Sequence, residues 1–179
     1  MYPVIPALSQ NSNEKDAPCL KIFYINTIIN ENIHSLIFRM GGLVMECWES
    51  AYIAGIIDGE GSISLTRMHE SEHRRPCISI ASTDIELLIY IQTLTGGKIN
   101  NKKNYNPDKH KDSYTLNIKK KEAVLSLLIN IKPYLRVDKK RNRSQLIIEN
   151  YEKVTPRNGK YNPQLLERKL AFEDAFFLI

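Results

Sequence analysis

Residues 51–65 read AYIAGIIDGEGSISL, and this stretch restricts the folding options of the chain more than any other. Ala51, Gly55, Asp58 and Gly59 recur at i, i+4, i+7 and i+8, so three of the smallest residues share one stripe of a helix. A glycine inside a helix costs roughly 1 kcal/mol against alanine. What it permits in return is very close approach by a second helix. Tyr52, Ile53, Ile56 and Ile57 are left to fill the core around the stripe. The helix, expected over Glu49 to Asp58, then ends in two carboxylates, Asp58 and Glu60. Acids at a helix C-terminus face the negative end of its dipole, a penalty of ~0.3–1 kcal/mol each. A bound divalent cation reverses that penalty, because carboxylate oxygens suit Mg²⁺. Taken alone, DGEG reads rather as a polar turn joining helix to strand; the small-residue helix directly before it shifts the reading towards a site.

The pattern after this helix sets the fold class. SISLTRM (62–68) alternates as a strand, and a charged loop leads to a second strand from about Pro76 to Ser82. A helix is expected from Ile85 to Leu94, stopped at Gly96 and Gly97. A second hairpin follows, Lys98–Lys103 and Ser113–Lys119. Helices are then expected over Lys121–Ile131, Lys140–Lys153 and Pro163–Leu178, the first stopped by Pro133. The order is α-β-β-α-β-β-α with C-terminal helices, an α+β domain built on an antiparallel sheet.

Composition removes several function classes. No apolar run approaches the ~20 residues of a membrane helix, and the N-terminus has no secretory pattern. The three cysteines, Cys19, Cys47 and Cys77, are widely spaced and read as thiols in a reducing compartment. The chain is therefore expected to be cytoplasmic, in a bacterium or archaeon, or organellar, and not secreted. A balance of 25 Lys+Arg to 20 Asp+Glu gives a net charge of +5, compatible with a polyanionic partner. His69 and His73 lack further ligands for zinc, and Gly96-Gly97-Lys98 lacks the spacing of a phosphate loop.

Ile53 to Gly61, followed by Ser62-Ile63, resembles the LAGLIDADG motif in its GIIDGEGS form, and PYLRVDKKRNRSQLIIENYE resembles the lysine-rich helix of the same endonuclease family. The resemblance implies a mixed αββαββα domain with a saddle-shaped antiparallel sheet. It implies that Ala51, Gly55 and Gly59 form a dimer interface by packing against the same helix of a second subunit. It also implies Glu60 as the ligand of a catalytic Mg²⁺ (or Mn²⁺), with the Gly59 carbonyl as a second ligand and Asp58 supporting the helix end. The family's catalytic lysine falls in the cluster 139–143, where Lys139 and Lys140 are both candidates. The motif occurs once, so one chain carries half of the implied active site, and a homodimer is expected. The implied activity is metal-dependent, site-specific cleavage of double-stranded DNA by an intron-encoded homing endonuclease, leaving short 3′ overhangs. Two alternatives stay open: a maturase that binds intron RNA, and a DNA-binding protein of the same fold without cleavage.

The sheet is the candidate recognition surface. Ser62, Ser64 and Thr66 share one strand face, and Thr115, Asn117 and Lys119 share another. Arg67, Arg74 and Arg75 decorate one hairpin, and Lys98, Lys102 and Lys103 the other, as contacts to phosphates require. Residues 1–42 differ in character. Their proline-punctuated opening is expected to be a poorly ordered or accessory N-terminal extension, and Leu20–Phe38 a strand or short helix. Residues 43–179 are expected to form the endonuclease domain.

Overall fold

The structure, a computed structural model, describes residues 45–179 apart from 68, 71 and 158. The expectations for residues 1–42, and for Met68 in the first strand, lie outside the described residues. Ser50, Ile53, Ala54 and Ile57 stand at i, i+3, i+4 and i+7, and all four are buried in helix α1 (Cys47–Gly59). The Glu49 carboxylate accepts the Glu46 N–H at 2.9 Å and anchors the first turn. Tyr52 is a correction to the expected core. It is 48% exposed because 100° per residue carries it to the opposite side from Ile53 and Ile57, and Ala54 takes its place inside.

Four strands follow, β1 (Gly61–Thr66), β2 (Arg75–Ser82), β3 (Lys98–Asn101) and β4 (Tyr114–Ile118). They form one antiparallel sheet in the order β1-β2-β4-β3. Period-two alternation puts Ile63, Leu65, Ile78, Ile80, Leu116 and Ile118 on a single buried face. Helices α2 (Ile85–Thr95), α3 (Lys121–Ile131) and α4 (Asp138–Asn150) pack beneath that face with α1. Helix α3 contributes the most, burying Val124, Leu125, Leu127, Leu128 and Ile131 before a 3₁₀ turn at Lys132–Tyr134 admits Pro133. Helix α5 (Pro163–Leu178), capped by the Asn162 side chain accepting Leu165 N–H at 2.7 Å, adds Phe172 and Phe176 to the core.

Gly97 is required where β3 lies against β4. Its φ is +101°, and a Cβ there would lie 2.7 Å from the Asn117 carbonyl of β4. The second hairpin pairs over a shorter span than expected, ending at Asn101 and Tyr114. Beyond it the loop folds on Asn104, whose amide donates to the His110 carbonyl and to Asp112.

Candidate functional site

The C-terminus of α1 and the N-terminus of α4 hold each other. The Asp58 carboxylate accepts the backbone N–H of Arg136 at 2.6 Å and of Val137 at 3.4 Å, immediately before α4. In the other direction, the Lys140 ammonium donates to the Ile57 carbonyl at 2.6 Å and the Asp58 carbonyl at 2.7 Å, both in the last turn of α1. Each helix therefore places a charge on the other's dipole end in the favourable sense. Helix α4 begins at Asp138 rather than the expected Lys140, directly after the two residues whose backbone Asp58 holds. The same contact removes Asp58 from the small-residue stripe, since its side chain faces α4.

Glu60 caps α1 with its backbone, donating to the Ile56 carbonyl at 2.8 Å. Its carboxylate is exposed and has no hydrogen bond or ion pair among the described residues. Gly61 fixes how the chain leaves the helix. A Cβ there would meet the Ile57 Cα at 2.6 Å, so β1 starts pressed against the last turn of α1. No three His, Cys, Asp or Glu residues come together as a metal site among the described residues. Glu60 and the Gly59 carbonyl offer hard oxygen donors only. That donor set suits Mg²⁺, which is held by one or two carboxylates with waters and substrate phosphates completing its shell.

Ala51, Gly55 and Gly59 lie on the outer side of α1, all exposed, and a Cβ built at Gly55 or Gly59 meets nothing within 4 Å. Trp48, 63% exposed, and Tyr52 flank them. A smooth, narrow strip of backbone thus runs along the helix to Glu60.

The open face of the sheet carries a polar row across all four strands: Ser62, Ser79, Asn117 and Lys98 are register partners in turn. Ser62 and Ser79 share a hydrogen bond at 2.8 Å. Ser64 lies on the same face, its hydroxyl donating to the Cys77 carbonyl at 3.2 Å. Thr66 lies opposite Arg75, and Thr115 opposite Ala81 and Asn100. Ser79 and Asn100 are additions to the face expected from sequence, and alternation against Ile78 and Ile80 was the available signal for Ser79. Cys77 sits on this side but is buried, and burial raises its thiol pKa above the ordinary 9.0.

The basic residues divide. Lys98, Lys102, Lys103, Lys119 and Lys139 are exposed. Arg67 donates to the Glu70 carbonyl at 3.2 Å, and Arg75 pairs with Glu72 at 3.2 Å while staying 64% exposed. Arg74 departs from the expected phosphate-facing position. Its guanidinium turns to α5, 3.5 Å from Glu173 and 4.8 Å over the Phe177 ring. Adjacent residues at the start of a strand point to opposite sides, so Arg74 and Arg75 do not share a face. Within the cluster, Arg141 pairs with Asp138, and Arg143 donates to the Ile63 carbonyl at 3.2 Å while stacking on Phe176. Among the described residues, no helix is long and apolar enough to cross a membrane.

The family model described as "LAGLIDADG endonuclease" matches residues 53–151. Among solved structures, the homing endonuclease I-CvuI in complex with its target in the presence of calcium is 19% identical. It aligns over 74% of this chain and 82% of that one with a TM-score of 0.58. I-CvuI on another endonuclease's target with magnesium is 21% identical over 73% and 81%, TM-score 0.58. I-SmaMI bound to cleaved DNA is 18% identical over 73% of this chain and 43% of that one, TM-score 0.53. Among curated proteins none matches. At these identities the likeness is one of fold.

Proposed function

The chain belongs to the LAGLIDADG endonuclease family, and on that premise we propose that it is a homodimeric, metal-dependent homing endonuclease that cuts both strands of a specific DNA site, encoded within an intron. One observation carries this reading: an unobstructed Ala51–Gly55–Gly59 stripe that leads to an exposed, unpaired Glu60. Two α1 helices packed along their stripes about a dyad bring two Glu60 carboxylates together, completing a donor set of which one chain has half.

Glu60 with the Gly59 carbonyl holds the divalent cation. A divalent cation held there would supply water activation and charge neutralisation at the attacked phosphate. The chain's own groups do the rest. Lys140, already donating to two carbonyls, is a positioning residue that fixes the direction of Gly59 and Glu60. Lys139, exposed one residue earlier on α4, is the cation available to the phosphate. Ser62, Ser79, Asn117 and Lys98 meet base edges in the major groove. Arg67, Arg75, Lys102, Lys103 and Lys119 seat the backbone. The related structures, described with DNA targets and with calcium or magnesium, support the DNA and the cation.

The test is cleavage of a fragment joining the two sequences that flank the gene, with Mg²⁺ or chelator, by wild type and Glu60→Gln. Cutting by wild type alone, and only with metal, is expected. Cutting that survives Glu60→Gln or chelation sinks the assignment of Glu60.

A further inference from the structure

At the far end of the β1–β2 hairpin from Glu60, the loop between α4 and α5 closes over a cavity of about 530 Å³. Its lining is unusually cationic. Arg75, Arg157 and Lys169 line it together with Arg74, whose guanidinium is held by Glu173, and Glu72, paired with Arg75, is the one carboxylate among the lining residues. Arg75 and Arg157 are exposed at its lip, while Lys169 at its floor is wholly buried. Lys169 donates to the Arg74 carbonyl at 2.9 Å, and the nearest carboxylate oxygen, on Glu173, is 3.9 Å away. The ammonium also stands over the Tyr151 and Phe172 rings at 4.5 and 5.2 Å, so ring faces and one distant carboxylate meet its charge, and an anion entering the cavity would add to these. Burial lowers the Lys169 pKa to about 8, with Glu173 opposing.

The walls supply neutral donors. The Thr155 hydroxyl is buried and lacks a well-aligned partner. Burial pushes the Tyr151 and Tyr161 hydroxyls above their ordinary 10.0, against the nearby Thr155 hydroxyl, so both keep their protons. His73 stacks on Tyr161 with ring centroids 4.2 Å apart and stiffens that wall. Cationic floor, cationic lip and hydroxyl walls form the donor set of a tetrahedral oxyanion.

We infer that this cavity takes a backbone phosphate on the flank of the DNA target, a contact that rests on the endonuclease reading above and extends its footprint. The position fits. Thr66, the register partner of Arg75, lies five residues along β1 from Gly61, or roughly 17 Å at ~3.3 Å per residue. That is about five phosphates along one strand at ~3.4 Å each. The cavity falls in the ~300–1,000 Å³ range of small-ligand sites and has room for the attached sugar.

The experiment measures binding without metal to a long duplex spanning the junction of the gene's flanks, and to one trimmed at both ends, across a salt series. Wild type, Arg157→Gln and the charge-matched control Arg168→Gln, exposed on α5 outside the cavity, are compared. One phosphate per protomer adds about 0.9 to the log–log salt slope. Wild type and Arg168→Gln are expected to show a slope steeper by roughly 2 on the long duplex than on the trimmed one. Arg157→Gln is expected to lose that difference and to bind the long duplex several-fold more weakly. Wild-type slope and affinity in Arg157→Gln overturn the cavity assignment and leave the endonuclease reading standing. Failure of wild type to bind either duplex overturns both. Inorganic phosphate, tested by thermal shift at matched ionic strength, separates the sources. A rise in Tm that Arg157→Gln abolishes, without a slope difference on DNA, assigns the cavity to the free anion and overturns the backbone contact.

Discussion

Replacing Gly55 with alanine separates what α1 needs for its own fold from what a partner needs of it. Gly55 lies mid-helix, has no positive φ, is exposed, and an added Cβ meets nothing within 4 Å. For the isolated chain, Gly55→Ala is therefore expected to stabilise the helix by about 0.5–1 kcal/mol. At dilutions where the chain is monomeric, this raises Tm by roughly 3 °C. In a dimer packed along the stripe the same methyl enters the tightest part of the contact. Overpacking a close contact costs about 1–3 kcal/mol, and a two-fold axis presents the methyl twice, giving roughly 2–6 kcal/mol. That range weakens self-association by about 30-fold to 10⁴-fold at 1.4 kcal/mol per decade. Sedimentation equilibrium over a concentration series reads the dissociation constant, and calorimetry of dilute protein reads the monomer. A dissociation constant unchanged within about threefold refutes packing along Ala51–Gly55–Gly59. A lowered monomer Tm refutes the claim that the stripe is free space.

Three other outcomes test the junction of α1 with α4 and the packing of α5. Asp58→Ala leaves the N–H groups of Arg136 and Val137 without their acceptor and is expected to cost about 1–2 kcal/mol in urea denaturation, as loss of a hydrogen bond to a charged group does; an unchanged midpoint removes Asp58 from the role of holding the segment before α4. Lys140→Met is expected to lower both the cleavage rate, on the order of 10²-fold, and Tm, whereas Lys139→Met lowers cleavage alone, so a thermally silent Lys140→Met contradicts the positioning role. Lys169 titrates near 8 in the fold against an ordinary 10.5, so the unfolded chain binds more protons above pH 8 and stability rises with pH. Relative to Lys169→Met, wild type is expected to gain roughly 1 kcal/mol between pH 8 and pH 9, and a flat difference means Lys169 is not buried as described.

Local pattern made much of this molecule readable. The placing of Ile53 and Ile57 in the core, apart from the Ala51, Gly55 and Gly59 stripe, and the alternation of Ile63 and Leu65 against Ser62 and Ser64 are statements about neighbours in sequence, which periodicity reports directly. So are Gly96 and Gly97 ending α2, and Pro133 ending α3. What stayed hidden depends on distant partners. The acceptor role of Asp58 is set by backbone 78 residues away, and the two carbonyls held by Lys140 lie more than 80 residues upstream. Without those contacts Asp58 looks like one of a pair of acids, and Lys140 like one of several interchangeable lysines. Tyr52 was misplaced for a different reason: an aromatic at a helix position reads as core unless the phase of the helix is fixed by its buried neighbours. Arg74 and Lys169 show the same limit. Both look like surface charge in sequence, and only the docking of α5 turns one towards Glu173 and buries the other.

The mutual hold of α1 and α4 has a bearing on how such a chain changes over time. The groups that hold the end of α1 beside Glu60 lie at two helix ends and at Gly61, and among the described residues no side-chain hydrogen bond joins Asp58 or Lys140 to the polar row on the sheet. Ser62, Ser79, Asn117 and Lys98 project away from the core, where exchange of one polar side chain for another changes stability by about 0.5 kcal/mol or less. The address and the blade are thus separable parts. On the proposed endonuclease reading, drift at the four-strand row would alter which sequence is recognised while the carboxylate stays aimed, so a lineage deprived of its old target would acquire a new one by surface substitutions alone. Substitution at Asp58, Gly61 or Lys140 has no such freedom, since each one disturbs the aim of the carboxylate for every target alike.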